Sequence, residues 1–161
     1  MKTAVYTGSF DPVTTGHLDI IERASSLFDH VIVCILNNSE KKCSLFSVEE
    51  RVIMLKDAVS HLPNVEVDSD QGLVIDYVKK KGADVIIRGL RQISDFEAEL
   101  QMAQANRTVG GIETMFLASN PKYSDISSTV VREFSKYGVA VKEFVPENVY
   151  EALQKKIAEN K

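Results

Sequence analysis

The sequence predicts an α/β protein whose five strands form a doubly wound parallel sheet. Short β-rich or apolar segments alternate along the chain with segments whose apolar residues recur every three to four positions. Residues 31–36 are all apolar, which is typical of a strand buried on both faces. Polar turns separate the segments. Such an alternation favours parallel strands joined by right-handed helical crossovers.

The first predicted elements are a strand, a helix and a second strand. Residues 3–7 are β-rich and end at Gly8, the start of a polar loop. Residues 17–28 carry apolar side chains at helical spacing, and residues 31–36 form the buried second strand. A polar loop containing two adjacent lysines follows that strand.

The middle of the chain repeats this pattern with shorter strands. Ser47 and Glu50 form a capping-box sequence, which predicts the start of a second helix that Pro63 ends. Residues 65–67 form a brief third strand. Residues 73–81 predict a helix that ends at the glycine that follows it.

The last part of the chain supplies two strands and three helices. The predicted elements are strand 84–88, a helix from Ser94 to about Arg107, strand 113–118, a helix from Ser127 or Ser128 to Tyr137, and an amphipathic helix from about residue 146. A second capping-box sequence, Ser94 to Glu97, predicts the start of the first of these helices.

Length and composition fit one domain that spans residues 1–161. Hydrophobic residues make up 44% and charged residues 26%, and no apolar run is long enough to span a membrane. The formal charge of −4 argues against a general nucleic-acid coat, which needs a basic face. The two cysteines make no disulfide framework, and no secretory signal is expected, so we expect a reducing, cytoplasmic protein.

Most of the distinctive polar residues follow the carboxyl ends of predicted strands, where ligands bind in such sheets. These segments are 8–17, 37–42, 70–73, 88–91 and 119–129. They combine His, Lys and Arg with glycine turns and hydroxyls, a combination suited to binding phosphates. Neither a P-loop nor the dinucleotide GxGxxG sequence is present, which argues against those two classes.

Five segments together resemble the bacterial phosphopantetheine adenylyltransferases, nucleotidyltransferases with a T/HxGH motif. They are GSFDP at 8–12, TTGH at 14–17, RGLR at 88–91, DFE at 95–97 and ISST at 126–129. The resemblance runs from Ala4 to about Leu153, and it is most specific in RGLR followed by DFE. It implies a Rossmann-like nucleotidyltransferase fold.

The resemblance implies transfer of the adenylyl group of ATP to 4′-phosphopantetheine. The products would be dephospho-coenzyme A and pyrophosphate, in the penultimate step of coenzyme A biosynthesis. It also implies Mg²⁺ as cofactor, a cytoplasmic location and a homohexamer. Since the nucleophile would be an ionised phosphate, no general base is required.

The same resemblance implies site residues. His17 would stabilise the transition state at the α-phosphate. The ATP site would contain Ser9, Phe10, His17, Gly89, Leu90, Arg91, Glu99, Tyr123, Ser124, Asp125, Ile126, Ser127, Ser128 and Thr129. The phosphopantetheine site would contain Ser9, Lys41, Leu73, Val74, Arg88 and Asn106, with Lys42 as the alternative to Lys41. No protein metal ligand is expected, and His17, Lys41, Arg88 and Arg91 would supply positive charge.

Three positions depart from the family pattern, and two other functions stay open. Thr7, Ala98 and Asp125 stand where the family usually has other residues. A related transferase would use another phosphate acceptor, such as nicotinamide mononucleotide or glycerol 3-phosphate. A non-catalytic nucleotide-sensing domain could use the same scaffold. Residues 11–12 are expected to shape a turn rather than to act in catalysis.

Overall fold

The computed structural model describes residues 1–37 and 43–161. It confirms the predicted α/β class with a five-stranded parallel sheet. The strands are β1 (Thr3–Gly8), β2 (His30–Leu36), β3 (Val65–Asp70), β4 (Val85–Leu90) and β5 (Glu113–Ala118). The helices are α1 (Thr15–Leu27), α2 (Val48–Ala58), α3 (Val74–Lys81), α4 (Ile93–Gly110), α5 (Ser128–Lys136) and α6 (Glu147–Glu159). A 3₁₀ turn covers Pro121–Tyr123.

The strand order is β3-β2-β1-β4-β5, so the winding direction reverses between β1 and β4. β1 pairs in parallel with β2 on one side, from Thr3 with His30 to Gly8 with Ile35. On the other side β1 pairs in parallel with β4. A reversal of this kind opens a crevice at the carboxyl ends of the two central strands, where ligands bind in open α/β sheets.

Apolar side chains fill both faces of the sheet. Alternate residues of a strand point to opposite faces. Val31, Val33 and Ile35 accordingly belong to one core cluster, while Ile32 and Cys34 belong to a second cluster that α3 covers. Cys34 is buried, as its position in the apolar run predicts. The central strands are therefore held from both sides, and their carboxyl ends are fixed points for the loops that follow.

Two predicted capping residues are confirmed and one is wrong. The Ser47 side chain accepts from the Glu50 N–H, and the Ser127 side chain accepts from the Val130 N–H. Ser94 does not cap α4, because this helix begins one residue earlier, at Ile93. Its N-cap is Gln92, which makes no side-chain capping bond.

Some boundaries also differ from those predicted. α4 continues to Gly110 rather than Arg107, because it is Gly111 that adopts the left-handed conformation (φ 70°) and ends the helix. α2 ends at Ala58, well before Pro63. β3 extends to Asp70, since its polar residues pair with β2 as far as Leu36. Within the described ranges, no helix is long and apolar enough to cross a bilayer.

Candidate active site

Two adjoining cavities open at the carboxyl edge of β1 and β4. The smaller cavity, of about 410 Å³, is bounded by the loop after β1, the start of α1, the end of β4 and the N-terminus of α5. The larger cavity, of about 710 Å³, extends from the same edge between β2, α3 and α4. The residues that line both cavities are Thr7, Gly8, Ser9, Arg88, Ala98 and Glu99. The two cavities therefore meet at the junction of β1 and β4.

The loop after β1 is held by its own buried side chains. Phe10 is 1% exposed and adopts a positive φ of 46°, which is uncommon outside glycine. Its ring packs edge-on against Tyr6 at 5.4 Å and His17 at 4.9 Å between ring centroids. The Asp11 carboxylate accepts the N–H groups of Leu45 and Phe46, both at 2.9 Å. Asp11 thus shapes a turn, as its sequence context predicts.

His17 is fixed in one tautomer by the start of α1. The Thr14 backbone N–H donates to His17 Nδ1 at 3.0 Å. The Thr14 hydroxyl accepts from the backbone N–H of His17 at 3.3 Å. Because an amide N–H can only donate, Nδ1 is an acceptor and the proton of the neutral ring sits on Nε2. His17 lines the smaller cavity, so Nε2–H is the donor that the ring has left for a ligand there.

His17 is neutral near pH 7 rather than cationic. Burial, together with the positive charges of Arg91 and Arg88, lowers the pKa of its imidazole to about 4. The expectation that His17 supplies a positive charge is therefore wrong for the free protein. A neutral ring can still polarise a phosphate oxygen through its N–H.

Arg88 lies in the wall between the two cavities and is held rigidly. Its Nε and Nη2 each donate to Glu99 at 2.8 Å, and its Nη1 donates to the Thr7 carbonyl at 2.6 Å. With a longer bond from Nη1 to the Thr7 hydroxyl at 3.4 Å, these contacts engage four of the five guanidinium N–H groups, so one, on Nη2, remains for a ligand. Glu99, for which the resemblance implies a nucleotide contact, lines both cavities and binds Arg88 in the free protein.

Arg91 ties the end of β4 to the segment before α5. Its Nη1 donates to the Ile126 carbonyl at 3.0 Å, and its Nη2 lies 3.8 Å from the Asp95 carboxylate. The N-terminus of α5 completes the smaller cavity. There the Ser128 hydroxyl donates to the Pro12 carbonyl at 2.7 Å. Unpaired N–H groups at a helix N-terminus attract anions, so this end of the cavity suits phosphates.

The structure brings most of the predicted site residues together. Of the predicted ATP residues, those that line the smaller cavity are Ser9, Phe10, His17, Gly89, Arg91, Glu99, Tyr123, Ile126, Ser127, Ser128 and Thr129. Leu90, Ser124 and Asp125 do not line it. Of the predicted acceptor residues, Ser9, Leu73, Val74, Arg88 and Asn106 line the larger cavity. Lys41 and Lys42 lie outside the described residues.

Sequence reasoning missed two arginines in the larger cavity, Arg51 and Arg132. Arg51 lies within α2, where a charged residue ordinarily faces solvent, and nothing in the sequence marks it as buried. The position of Arg132, in contrast, could have been predicted. It lies four residues after Ser128 in α5, so both side chains share one face of that helix.

The three positions that depart from the family pattern have different surroundings. The Thr7 carbonyl accepts from Arg88 Nη1 at 2.6 Å, and the Thr7 hydroxyl accepts from the same nitrogen at 3.4 Å, so the Thr7 side chain adds a contact to Arg88. Ala98 lines both cavities, where a larger side chain would fill part of the space between them. Asp125 is exposed and lines neither cavity.

A sequence model of the cytidylyltransferase-like family matches residues 5–134, which is most of the chain. The chain belongs to the cytidylyltransferase-like family. It is therefore a protein of the nucleotidyltransferase class, and the matched residues include both the TTGH and the RGLR segments.

Two solved structures have a similar fold. One is a putative nicotinate-nucleotide adenylyltransferase from Vibrio parahaemolyticus, with a TM-score of 0.73 and 18% identity over 100% of this chain and 98% of that one. The other is a bifunctional NMN adenylyltransferase/ADP ribose pyrophosphatase from Francisella tularensis, complexed with AMP and a Mn ion, with a TM-score of 0.69 and 18% identity. The alignment covers 99% of this chain but only 52% of the Francisella protein. At this identity the likeness supports the fold alone.

Proposed function

We propose that the protein transfers the adenylyl group of ATP to 4′-phosphopantetheine, giving dephospho-coenzyme A and pyrophosphate. The observation that carries the proposal is the meeting of two cavities at Arg88, with the Nε2–H donor of His17 in the smaller one. A reaction between two phosphate compounds needs two such sites with their reactive ends in contact.

The larger cavity suits a flexible aliphatic acceptor better than a planar one. Its described lining is aliphatic along β2, α3, β4 and α4, with Leu36, Leu73, Val74, Ile75, Ile86, Met102 and Ala103. No aromatic residue is among the described lining residues on which a pyridine ring could stack. Asn106 and Thr114 supply polar groups for amides, and the Thr114 hydroxyl has no partner within the described part of the chain. A phosphorylated pantetheine arm combines these features.

In this proposal an oxygen of the acceptor phosphate attacks the α-phosphorus of ATP. A new P–O bond forms, the bond from the α-phosphorus to the bridging oxygen breaks, and pyrophosphate leaves with that electron pair. His17 Nε2–H would donate to an α-phosphate oxygen, where negative charge grows. Arg91 and the N-terminus of α5 would hold the leaving phosphates, and Arg88 would hold the acceptor phosphate.

Mg²⁺ belongs to this proposal as a partner of the ATP phosphates. Among residues 1–37 and 43–161, no three His, Cys, Asp or Glu side chains gather as a metal site. This donor set fits an ion that keeps much of its water and is held mainly by phosphate oxygens. Asp95, which lines the smaller cavity, is a carboxylate that would be available for one further contact. When bound, the ion would neutralise charge on the leaving pyrophosphate.

The main alternative is another phosphate acceptor, and one assay separates the candidates. The protein is incubated with ATP, Mg²⁺ and one acceptor at a time: 4′-phosphopantetheine, nicotinamide mononucleotide, nicotinate mononucleotide or glycerol 3-phosphate. Mass spectrometry then identifies the adenylylated product. We expect dephospho-coenzyme A to form fastest. Faster formation of another product would replace the proposed acceptor, and no product with any acceptor would favour the nucleotide-sensing alternative.

We also propose that the protein assembles, as a homohexamer in the cytoplasm, through exposed apolar residues of α4. This 18-residue helix has no buried residue, and Ile93 and Val109 on it are 92% and 72% exposed. A Val109→Glu variant should lower the mass measured by light scattering. Ile53→Glu, at an exposed apolar position on α2, is the matched control and should leave the mass unchanged.

A further inference from the structure

Three arginines donate to alternate carbonyls at the end of β1 and in the loop that follows it. Arg88 Nη1 donates to the Thr7 carbonyl at 2.6 Å, and Arg51 Nη1 donates to the Ser9 carbonyl at 2.8 Å. Arg132 Nη1 donates to the Asp11 carbonyl at 2.6 Å. The arginines come from β4, α2 and α5, yet all three line the larger cavity. We refer to Arg88, Arg51 and Arg132 as the arginine row.

Arg51 is the most deeply buried member of the row. It is 3% exposed, and its described hydrogen bonds go to two carbonyls, those of Ser9 and Ser47. Within the described residues no carboxylate lies within ion-pair distance of it. Removing a guanidinium from water without a counter-charge is unfavourable. A guanidinium in this position, with N–H groups remaining on the wall of a cavity, is suited to an anion that arrives from outside.

The charges around the larger cavity leave a positive excess. Its described lining has three guanidinium groups, those of the arginine row, and two carboxylates, those of Asp11 and Glu99. Both carboxylates are already engaged. Asp11 accepts from two backbone N–H groups and lies 3.9 Å from Arg132 Nη1, and Glu99 accepts from Arg88 through both oxygens. The described lining therefore carries one more positive than negative charge.

We infer that Arg51 and Arg132 extend the anion site of Arg88, so that the whole arginine row receives the phosphate of the acceptor. The ligand class is a phosphate monoester in its dianionic form. This inference rests on the proposed function for the identity of the acceptor, and it adds two binding residues to that site. It also explains how the cavity selects a phosphorylated arm, because a dianion shared among three cations is bound far better than a neutral alcohol.

A purely structural role, in which the arginines only fasten the loop, makes a different prediction. If the arginines only hold the loop in place, their removal should weaken the binding of ATP and of the acceptor together, since Ser9 and Phe10 of this loop line the smaller cavity. Loss of an anion contact would weaken phosphate binding selectively. Arg132 is the better first target because its side chain is 34% exposed, so its replacement is compatible with folding.

The first test uses inorganic phosphate as the probe, with thermal unfolding as the readout and sodium chloride at matched ionic strength as reference. Phosphate should raise the unfolding temperature of the wild-type protein and of Arg107→Met, a control at an exposed arginine paired with Glu113. The increase should be clearly smaller in Arg132→Met and should partly return in Arg132→Lys. An increase in Arg132→Met equal to that of the wild type would overturn the inference.

The second test measures the dissociation constants of 4′-phosphopantetheine and ATP by calorimetry. Arg132→Met and Arg51→Lys should each weaken the acceptor about tenfold or more, because hydrogen bonds to charged groups are strong, and ATP no more than about twofold. Equal losses for both ligands would indicate a fastening role and contradict the inference. If Arg51→Lys does not fold, as its own unfolding curve would show, the Arg132 variants decide.

The two proposals can fail separately. If the wild-type protein makes no dephospho-coenzyme A but its phosphate response still depends on Arg132, the proposed function is wrong and the arginine row stands. If the wild-type protein makes dephospho-coenzyme A while Arg132→Met keeps full acceptor affinity, the proposed function stands and the row is wrong.

Discussion

The two cavities are built in different ways. The smaller cavity is made from short continuous segments, namely the loop after β1, the start of α1, the end of β4 and the start of α5. The larger cavity collects single side chains from β2, α2, α3, β4, α4, β5 and α5. Local backbone rules create the first, and tertiary packing creates the second. The segments that form the smaller cavity are therefore easier to predict from the sequence than single side chains of the larger one such as Arg51.

Their chemistry differs as well. The smaller cavity presents aromatic rings from Phe10 and Tyr123, hydroxyls and a helix N-terminus, which suit an adenine nucleotide. The larger cavity presents aliphatic side chains and the arginine row, with no aromatic residue among its described lining. Arg88 and Glu99 belong to both. Substitutions away from the shared wall should therefore affect only one substrate.

Substitution of His17 should give the largest effect on turnover. Replacing it by Asn removes the Nε2–H donor, and loss of one donor of this kind lowers kcat by roughly 10²- to 10³-fold. The KM for ATP should change little, because the donor acts mainly on charge that grows in the transition state. Steady-state kinetics of pyrophosphate release would measure both constants.

The control for this substitution is His61→Asn, at an exposed histidine that pairs with Glu22. It should leave kcat unchanged. A His17→Asn enzyme with normal turnover would remove His17 from the mechanism and would leave the two cavities without a reactive group between them.

Arg88→Met should give the second-largest effect and should separate the two cavities. Charge-assisted bonds to a phosphate are lost, so the KM for 4′-phosphopantetheine should rise roughly 10- to 100-fold. The KM for ATP should rise much less. A double variant, Arg88→Met with Glu99→Gln, would also remove the negative charge that loses its partner in the single variant. If the KM values of both substrates rise equally in the single and in the double variant, Arg88 does not bind the acceptor specifically.

A smaller effect is expected at the two serine caps, and it sharpens the comparison. Ser127→Ala and Ser47→Ala each remove a side chain that accepts a helix N-terminal N–H, which costs about 1 kcal/mol of stability. Ser127 lines the smaller cavity and Ser47 lines neither. Only Ser127→Ala should also weaken ATP, by about threefold to tenfold. The free energy of unfolding and the ATP dissociation constant would be measured for both.

The last prediction concerns stability in acid. The pKa of His17 is lowered from 6.5 to about 4 in the folded protein, so between these values the unfolded chain binds more protons than the folded one. Stability from the neutral ring is therefore complete above pH 6.5 and decreases as the pH falls toward 4. His17→Asn should lose less stability than the wild type over this interval in chemical unfolding. Equal slopes would contradict the neutral state of His17.

The extent to which sequence predicts this molecule follows from which interactions are local. The Ser127 and Ser47 caps were predictable because a serine and the N–H it accepts lie three residues apart. The prediction that Ser94 caps α4 was wrong because the same sequence pattern also fits a serine one residue inside a helix. The charge of His17 could not be predicted, since it depends on burial and on Arg88 and Arg91, which are distant in the chain.

The central claim is that each cavity receives one substrate and that His17 acts where they meet. A crystal structure with a non-hydrolysable ATP analogue and 4′-phosphopantetheine tests this most directly. The account predicts adenosine in the smaller cavity, the pantetheine arm in the larger one, and His17 Nε2 within hydrogen-bond distance of an α-phosphate oxygen. Binding of both ligands in one cavity, or a His17 ring without contact to the nucleotide, would contradict it.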